Sequence, residues 1–170
     1  ANMGRAFDTI SKWPGYIPTP LVDLPEIAAH CGVARVVYKD ESTRLGLGAF
    51  KALGGAYAVA DLVREQVAKG ANIGEVMVAT ATDGNHGRSV AWGAQLAGCN
   101  AKIYIHEHVS RAREAAMQAY GAEVIRVQGN YEVSLADCRA DAEANGWHLV
   151  SDTSWEGYVD VPRAIMAGYT

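Results

Sequence analysis

Lys51 stands in the segment LGLGAFKALGGAYA, with no other charged residue from Leu45 to Val59. Helical periodicity downstream of it puts it in a first turn, where the positive end of the helix dipole penalises a cation by roughly 0.3–1 kcal/mol. An apolar neighbourhood disfavours the ammonium further. A neutral amine is the form that a Schiff-base lysine must take. The same residues also fit a surface lysine whose flanking glycines serve local turns. A phosphate-binding P-loop is excluded, because Gly46, Gly48, Gly54 and Gly55 do not give GxxxxGK[ST].

A second group is Thr82-Asp83-Gly84-Asn85-His86-Gly87, which follows a strand pattern and opens a helical one. Backbone N–H groups at such a junction form a site for a carboxylate or a phosphate, and the alternative is that Asp83 or Asn85 merely caps the helix. Asp152 follows a later strand pattern and reads either as a site carboxylate or as a turn residue. Tyr131 follows another, where an aromatic also serves packing. His106 and His108 alternate onto one face if their strand continues, a ligand-like spacing, but Glu107 then points the other way and no metal site is expected. Arg88, Trp92 and Trp155 are read as structural, with Trp155 near the cleft.

These residues need a frame, and the chain supplies one. Strand patterns at 76–80 (VMVAT), 101–105 (AKIYI), 123–127 (EVIRV) and 147–151 (WHLVS) alternate with helical patterns at 84–97, 110–120 and 131–145. Gly70, Gly98, Gly121 and Gly146 punctuate the helix ends. Strands separated by such helices form βαβ crossovers, so the fold class is α/β with an open parallel sheet. In such sheets ligands collect beyond the carboxyl ends of the strands, which is where 82–86, 106–108, 129–131 and 152–158 fall. Upstream, 35–39 (RVVYK) reads as a strand and 51–69 as an amphipathic helix. Residues 1–34, with four prolines, look irregular apart from a short helix near 24–30.

Composition narrows the function. The 170 residues are 49% hydrophobic with a net charge of -4, and no Lys/Arg block provides a footprint for nucleic acid. The longest uncharged stretch, 89–101, falls short of the roughly 20 apolar residues a membrane helix requires. Cysteines at 31, 99 and 138 fit neither a disulfide framework nor CxxC metal spacing, and no signal-peptide pattern opens the chain; a cytoplasmic protein is expected.

Taken together, ESTRLGLGAFKALGGAYA, ATDGNHGRSVAWGAQLAG and IYIHEHVSRAREAAMQAYGAEVI resemble the fold-type II pyridoxal-phosphate enzymes, the group of serine/threonine dehydratases and cysteine synthases. TDGNHG and the later SDTSWEGY most resemble the diaminopropionate ammonia-lyases within that group. The resemblance covers about residues 16–170. It implies that Lys51 holds pyridoxal 5'-phosphate as a Schiff base and acts as a proton-transfer base, and that Asn85 bonds the cofactor's phenolic oxygen. The TDGNH turn, with Thr82, Gly84 and His86, would bind the substrate carboxylate. Most relatives carry a neutral residue where this chain has Asp83, so a second base on the opposite face is implied, in keeping with lyases that accept D and L isomers. Asp152 would serve the substrate's second amino group, with Tyr131 reaching the same pocket.

The implied reaction is α,β-elimination of 2,3-diaminopropionate to pyruvate and ammonia. The alternatives are a serine/threonine dehydratase of the same fold and a non-catalytic βαβ module binding a small anion or a partner chain. Such enzymes complete the site with a glycine-rich phosphate cup and a partner for the pyridine nitrogen, which no segment here matches, and 161–170 starts like a helix and stops. The chain is therefore expected to be the N-terminal part of a longer lyase, inactive alone and homodimeric when complete. Residues 1–75 would belong to the larger cofactor domain, 76–160 to a small βαβ domain, and 161–170 to the return. The strand near Val36 is expected to lack a partner here, and helix 51–69 to leave apolar surface exposed.

Overall fold

A computed structural model describes residues 3–170. The elements run α1 (Met3–Ile10), β1 (Leu21–Asp23), α2 (Pro25–Cys31), β2 (Val37–Lys39), α3 (Lys51–Ala68), β3 (Met77–Ala81), α4 (Asn85–Ala97), β4 (Asn100–His106), α5 (Arg111–Gln118), β5 (Glu123–Val127), α6 (Tyr131–Asn145), β6 (His148–Leu149) and α7 (Asp160–Tyr169). The expected parallel sheet is present, with strand order β5-β4-β3-β6 and every neighbouring pair parallel. Gly70, Gly98, Gly121 and Gly146 all have positive φ, as the helix-stop reading required.

Alternation along β3 and β4 divides the core in two. Val78, Ile103 and Ile105 face one side, where Val59 and Val63 of α3, Val90 of α4 and Met117 of α5 cover them. Ala79, Ala81 and Tyr104 face the other side and pack on Cys138 and Ala142 of α6. The result is a helix-sheet-helix sandwich, in which burial of these side chains is worth roughly 25 cal/mol per Å² of apolar surface.

The helices α3 and α4 touch at their backbones. A Cβ on Gly93 would lie 2.6 Å from Ala56 Cα, so no larger residue fits there without parting the helices. Beside it the buried Ser89 hydroxyl accepts from Ala56 N at 2.9 Å and donates to Ala52 O at 3.3 Å, fastening α4 to the first turns of α3. Lys51, the first residue of α3, is thereby held in fixed relation to the start of α4.

Several expectations are corrected. The strand near Val36 does have a partner: β2 pairs antiparallel with β1, an element the proline-rich stretch concealed. Helix α1 was also unforeseen; it packs Ala6 and Ile10 against Tyr57 and Ala167. Helix 51–69 is largely covered, with Ala52, Ala56 and Val59 almost fully buried. Exposed apolar residues concentrate instead in the first 38 positions, among them Phe7, Leu21 and Tyr38. The last strand shrinks from 147–151 to two residues, because beyond it the backbone turns to the Tyr158 hydroxyl, which donates to Leu149 O and accepts from Ser151 N.

Candidate active site

The order β5-β4-β3-β6 means that the chain leaves β3 toward β4 on one side, while β6 docks on the other. The carboxyl ends of β3 and β6 are thus a topological switch point, where open α/β sheets leave a crevice. Thr82 to His86 leave β3 there, Asp152 follows β6, and the start of α3 brings in Lys51. A cavity of about 260 Å³ is lined by Lys51, Ala81, Thr82, Asp83, Gly84, Asn85, His86, Tyr131 and Asp152. The eight residues that the resemblance assigned to cofactor and substrate, Lys51, Thr82, Asp83, Gly84, Asn85, His86, Tyr131 and Asp152, all line it.

A larger hollow of about 490 Å³ lies elsewhere, between α1, α3 and α7. Its charged groups are already matched: Arg44 pairs with Glu41 at 2.6 Å and Lys39 donates to Thr19 O at 2.6 Å. Tyr169, which lines it, has a buried hydroxyl without a hydrogen-bond partner, and burial pushes this phenol up, so it stays neutral.

In the smaller cavity Lys51 Nζ lies 2.5 Å from Asp152 Oδ2. This corrects the expectation of a lysine with only apolar surroundings, since the fold brings a carboxylate from 101 positions away. The same Oδ2 lies 3.9 Å from His86 Nδ1. Burial resists ionisation of Asp152, but His86 and Lys51 beside it hold its carboxyl below the usual range. The attraction comes from Lys51, because burial pushes His86 itself below its usual value and leaves it neutral near pH 7. His86 Nε2 lies 2.8 Å from Val150 O. A carbonyl only accepts, so the proton is on Nε2, and Nδ1 is a bare lone pair with no hydrogen-bond partner, buried beside Asp152.

The turn after β3 is built by Thr82. Its Oγ1 accepts from Gly84 N and from Gly87 N, both at 3.0 Å, and is itself buried. The Thr82 hydroxyl oxygen therefore shapes the turn, while its own O–H can still donate. Gly84 has φ +156, and a Cβ there would lie 3.0 Å from Arg113 Cδ, so the tight turn requires glycine. Among the described residues, the N–H groups of Asp83, Asn85 and His86 have no intramolecular acceptor and remain available to an anion. The Asn85 side-chain amide is exposed and has no partner there either.

Asp83 projects outward, 66% exposed, with Oδ1 3.0 Å from His106 Nε2. The sequence offered His106 only as a weak metal candidate, and this pairing was missed. A signal existed: β3 and β4 are in register at Ala81 and Tyr104, so the residues two beyond each are neighbours. His108 turns to its neighbour's ring at 5.8 Å, and among the described residues no cluster suits a metal. Burial pushes the Tyr131 phenol up, so it stays a neutral donor at the cavity wall.

The donor set fits an anionic aldehyde cofactor. It has a primary amine at the cavity, an unpartnered amide beside it and unpaired N–H groups at a helix start.

Comparisons with known proteins agree. The family model described as pyridoxal-phosphate dependent enzyme matches residues 12–169. The diaminopropionate ammonia-lyase of Escherichia coli (strain K12) is 45% identical over 181 residues, covering 99% of this chain and 45% of the relative. Crystal structures of the Escherichia coli enzyme superpose closely. In complex with D-serine the TM-score is 0.88 at 43% identity, covering 98% of this chain and 45% of that one. In complex with an aminoacrylate-PLP azomethine reaction intermediate it is 0.89 at 43% identity, covering 98% and 44%. The chain spans about half the length of the curated relatives it matches.

Proposed function

Since the chain belongs to the pyridoxal-phosphate dependent enzyme family, we propose that the protein of which it forms part catalyses α,β-elimination of 2,3-diaminopropionate to pyruvate and ammonia. The observation that carries this reading is the Lys51–Asp152 pair, 2.5 Å long, at the switch point of the sheet. An ammonium position with its own carboxylate is what a diamine substrate requires and a hydroxy-amino acid does not. When bound, pyridoxal phosphate supplies the electron sink that acidifies the α-proton and lets the β-substituent leave.

The residues of this chain divide the remaining work. Lys51 Nζ would hold the cofactor covalently and would serve as the proton acceptor on its own face of the substrate. Asn85 would donate its amide N–H to the cofactor's phenolic oxygen. The substrate carboxylate sits against the N–H groups of Asp83, Asn85 and His86, with Gly84 allowing the backbone to come close. Asp152, no longer paired with Lys51, receives the β-ammonium, and Tyr131 closes that side. Asp83 takes the α-proton from the opposite face, so that one enantiomer depends on Lys51 and the other on Asp83. The phosphate cup and the partner of the pyridine nitrogen are assigned to no residue of this chain.

Residues 1–75 and 161–170 belong, on this reading, with a larger cofactor domain, and 76–160 form the small one. The protein is cytoplasmic and homodimeric when full length. Cys31, Cys99 and Cys138, all free thiols, support a reducing compartment, and among the described residues no helix is long and apolar enough to cross a membrane. The dimer rests on the family resemblance alone.

The test is a side-by-side assay of the full-length protein on D- and L-diaminopropionate and on serine. Faster release of pyruvate from serine would overturn the assignment in favour of a dehydratase. An Asp83→Asn variant should keep cofactor absorbance while losing one diaminopropionate enantiomer far more than the other, and equal losses would reject the two-base reading.

A further inference from the structure

The carboxylate proposed as the second base is two-thirds exposed, and a side chain so free has several rotamers open to it. A base works only when held within hydrogen-bond reach of the proton it removes. We propose that His106 is the positioning residue that holds Asp83 in its working orientation, an inference that rests on the reading of Asp83 as a base.

The geometry gives His106 a single suitable form. His108 N donates to His106 Nδ1 at 3.2 Å, so Nδ1 carries the lone pair and the ring proton sits on Nε2. That Nε2–H points at Asp83 Oδ1, 3.0 Å away. With Oδ1 engaged, Oδ2 is the oxygen left to take a proton. When the substrate Cα–H bond breaks, the proton goes to Oδ2 and the electron pair stays with the substrate, while the Nε2–H bond to Oδ1 persists through the transfer.

His106 is itself held by the turn after β4, which is clamped from β5. One nitrogen of Arg126, Nη1, donates to the carbonyls of His106, Glu107 and Val109 at 3.3, 2.7 and 2.8 Å. Its other terminal nitrogen pairs with Glu114 at 2.6 Å. Glu107 Oε1 accepts from Gly129 N at 3.0 Å, tying the same turn to the end of β5. On the other side, Arg113 donates to Asp83 O at 3.0 Å and fixes the backbone that carries the carboxylate. Both partners thus sit on anchored backbone, and only the Asp83 side chain needs orienting. An ordinary surface His–Asp pair has no such support, and neither partner would be called on to keep one tautomer.

The experiment uses the full-length enzyme loaded with pyridoxal phosphate. His106→Ala should lower kcat for the enantiomer that depends on Asp83 by about 10- to 100-fold, the usual cost of a misplaced group, and leave the other enantiomer within about twofold. His106→Gln, which can present an amide N–H near the Nε2 position, should recover most of the loss. A second readout needs no turnover: nitrogen NMR of labelled histidines should show His106 neutral with its proton on Nε2, and Asp83→Asn should move that resonance. Equal losses for both enantiomers in His106→Ala, no loss for either, or a proton on Nδ1 would each overturn the proposal. The two readings separate cleanly. Selective loss in Asp83→Asn without selective loss in His106→Ala rejects the role of His106 alone, whereas equal losses in Asp83→Asn reject the second base and this role with it.

Discussion

Asp152 Oδ2 is approached from two sides, by Lys51 at 2.5 Å and by the bare Nδ1 of His86 at 3.9 Å. Two predictions belong here. Lys51→Ala in the full-length protein should abolish covalent attachment of pyridoxal phosphate; borohydride reduction and peptide mapping check it, and a pyridoxyl label on another lysine would sink the assignment. His86 gives a stability prediction. Its imidazole is held below its usual value by burial, so below about pH 6.5 the unfolded chain binds a proton that the folded one resists. Stability is complete above that pH and is lost as pH falls toward the depressed folded value. Urea midpoints of this chain from pH 8 to 5 should fall less steeply for His86→Gln. Asp152 acts in the same direction only at lower pH, below its usual carboxylate range, and His148, also lowered by burial, contributes equally to both proteins. The sequence made the cavity residues legible because each follows a strand or opens a helix. It could not show that Lys51 meets Asp152, since that depends on β6 docking beside β3 rather than beside β5. The partner of Asp83 was hidden for a similar reason, as adjacency across strands is a matter of register.

The contact between α3 and α4 carries the precision of the site. Gly93→Ala would place a methyl 2.6 Å from Ala56 Cα, and forcing backbone apart in a packed core costs about 1–3 kcal/mol. Gly74→Ala is the control, since its nearest new contact is at 3.8 Å and its φ is not left-handed; the difference in unfolding midpoint measures the packing term. Gly54 and Gly55 beside Lys51 illustrate what composition alone conceals. Read as turn glycines they suggest a loop, yet both lie inside α3 where neighbouring helices press close. Periodicity located α3, α4 and α6 within a residue or so because their buried stripes are long. It failed for α1, a helix of only eight residues, and for β1, a three-residue strand set between Pro20 and Pro25.

At the scale of the molecule, the expected division after residue 75 passes between α3 and β3, which share one core: Val59 and Val63 pack with Val78 and Val90. The 170-residue chain is therefore expected to unfold cooperatively, with far-UV circular dichroism of a helix-and-sheet protein. It should still release pyruvate from diaminopropionate about 100-fold or more slowly than the full-length protein, since positioning of the cofactor by the rest of the molecule would be lacking; comparable rates would contradict the reading of the site as shared. With Phe7, Leu21, Val22 and Tyr38 exposed, light scattering should detect self-association of this chain. The strand order also has a consequence in time. Asp152 is made 101 residues after Lys51, which at about 5–20 residues per second is roughly 5–20 s of synthesis. Until β6 joins the edge of β3, the nascent lysine is an ordinary amine without a counter-ion. The carboxylate that defines its chemistry comes with β6, the latest in sequence of the four described strands of this sheet, so the order of translation itself delays the pairing until those strands have been made.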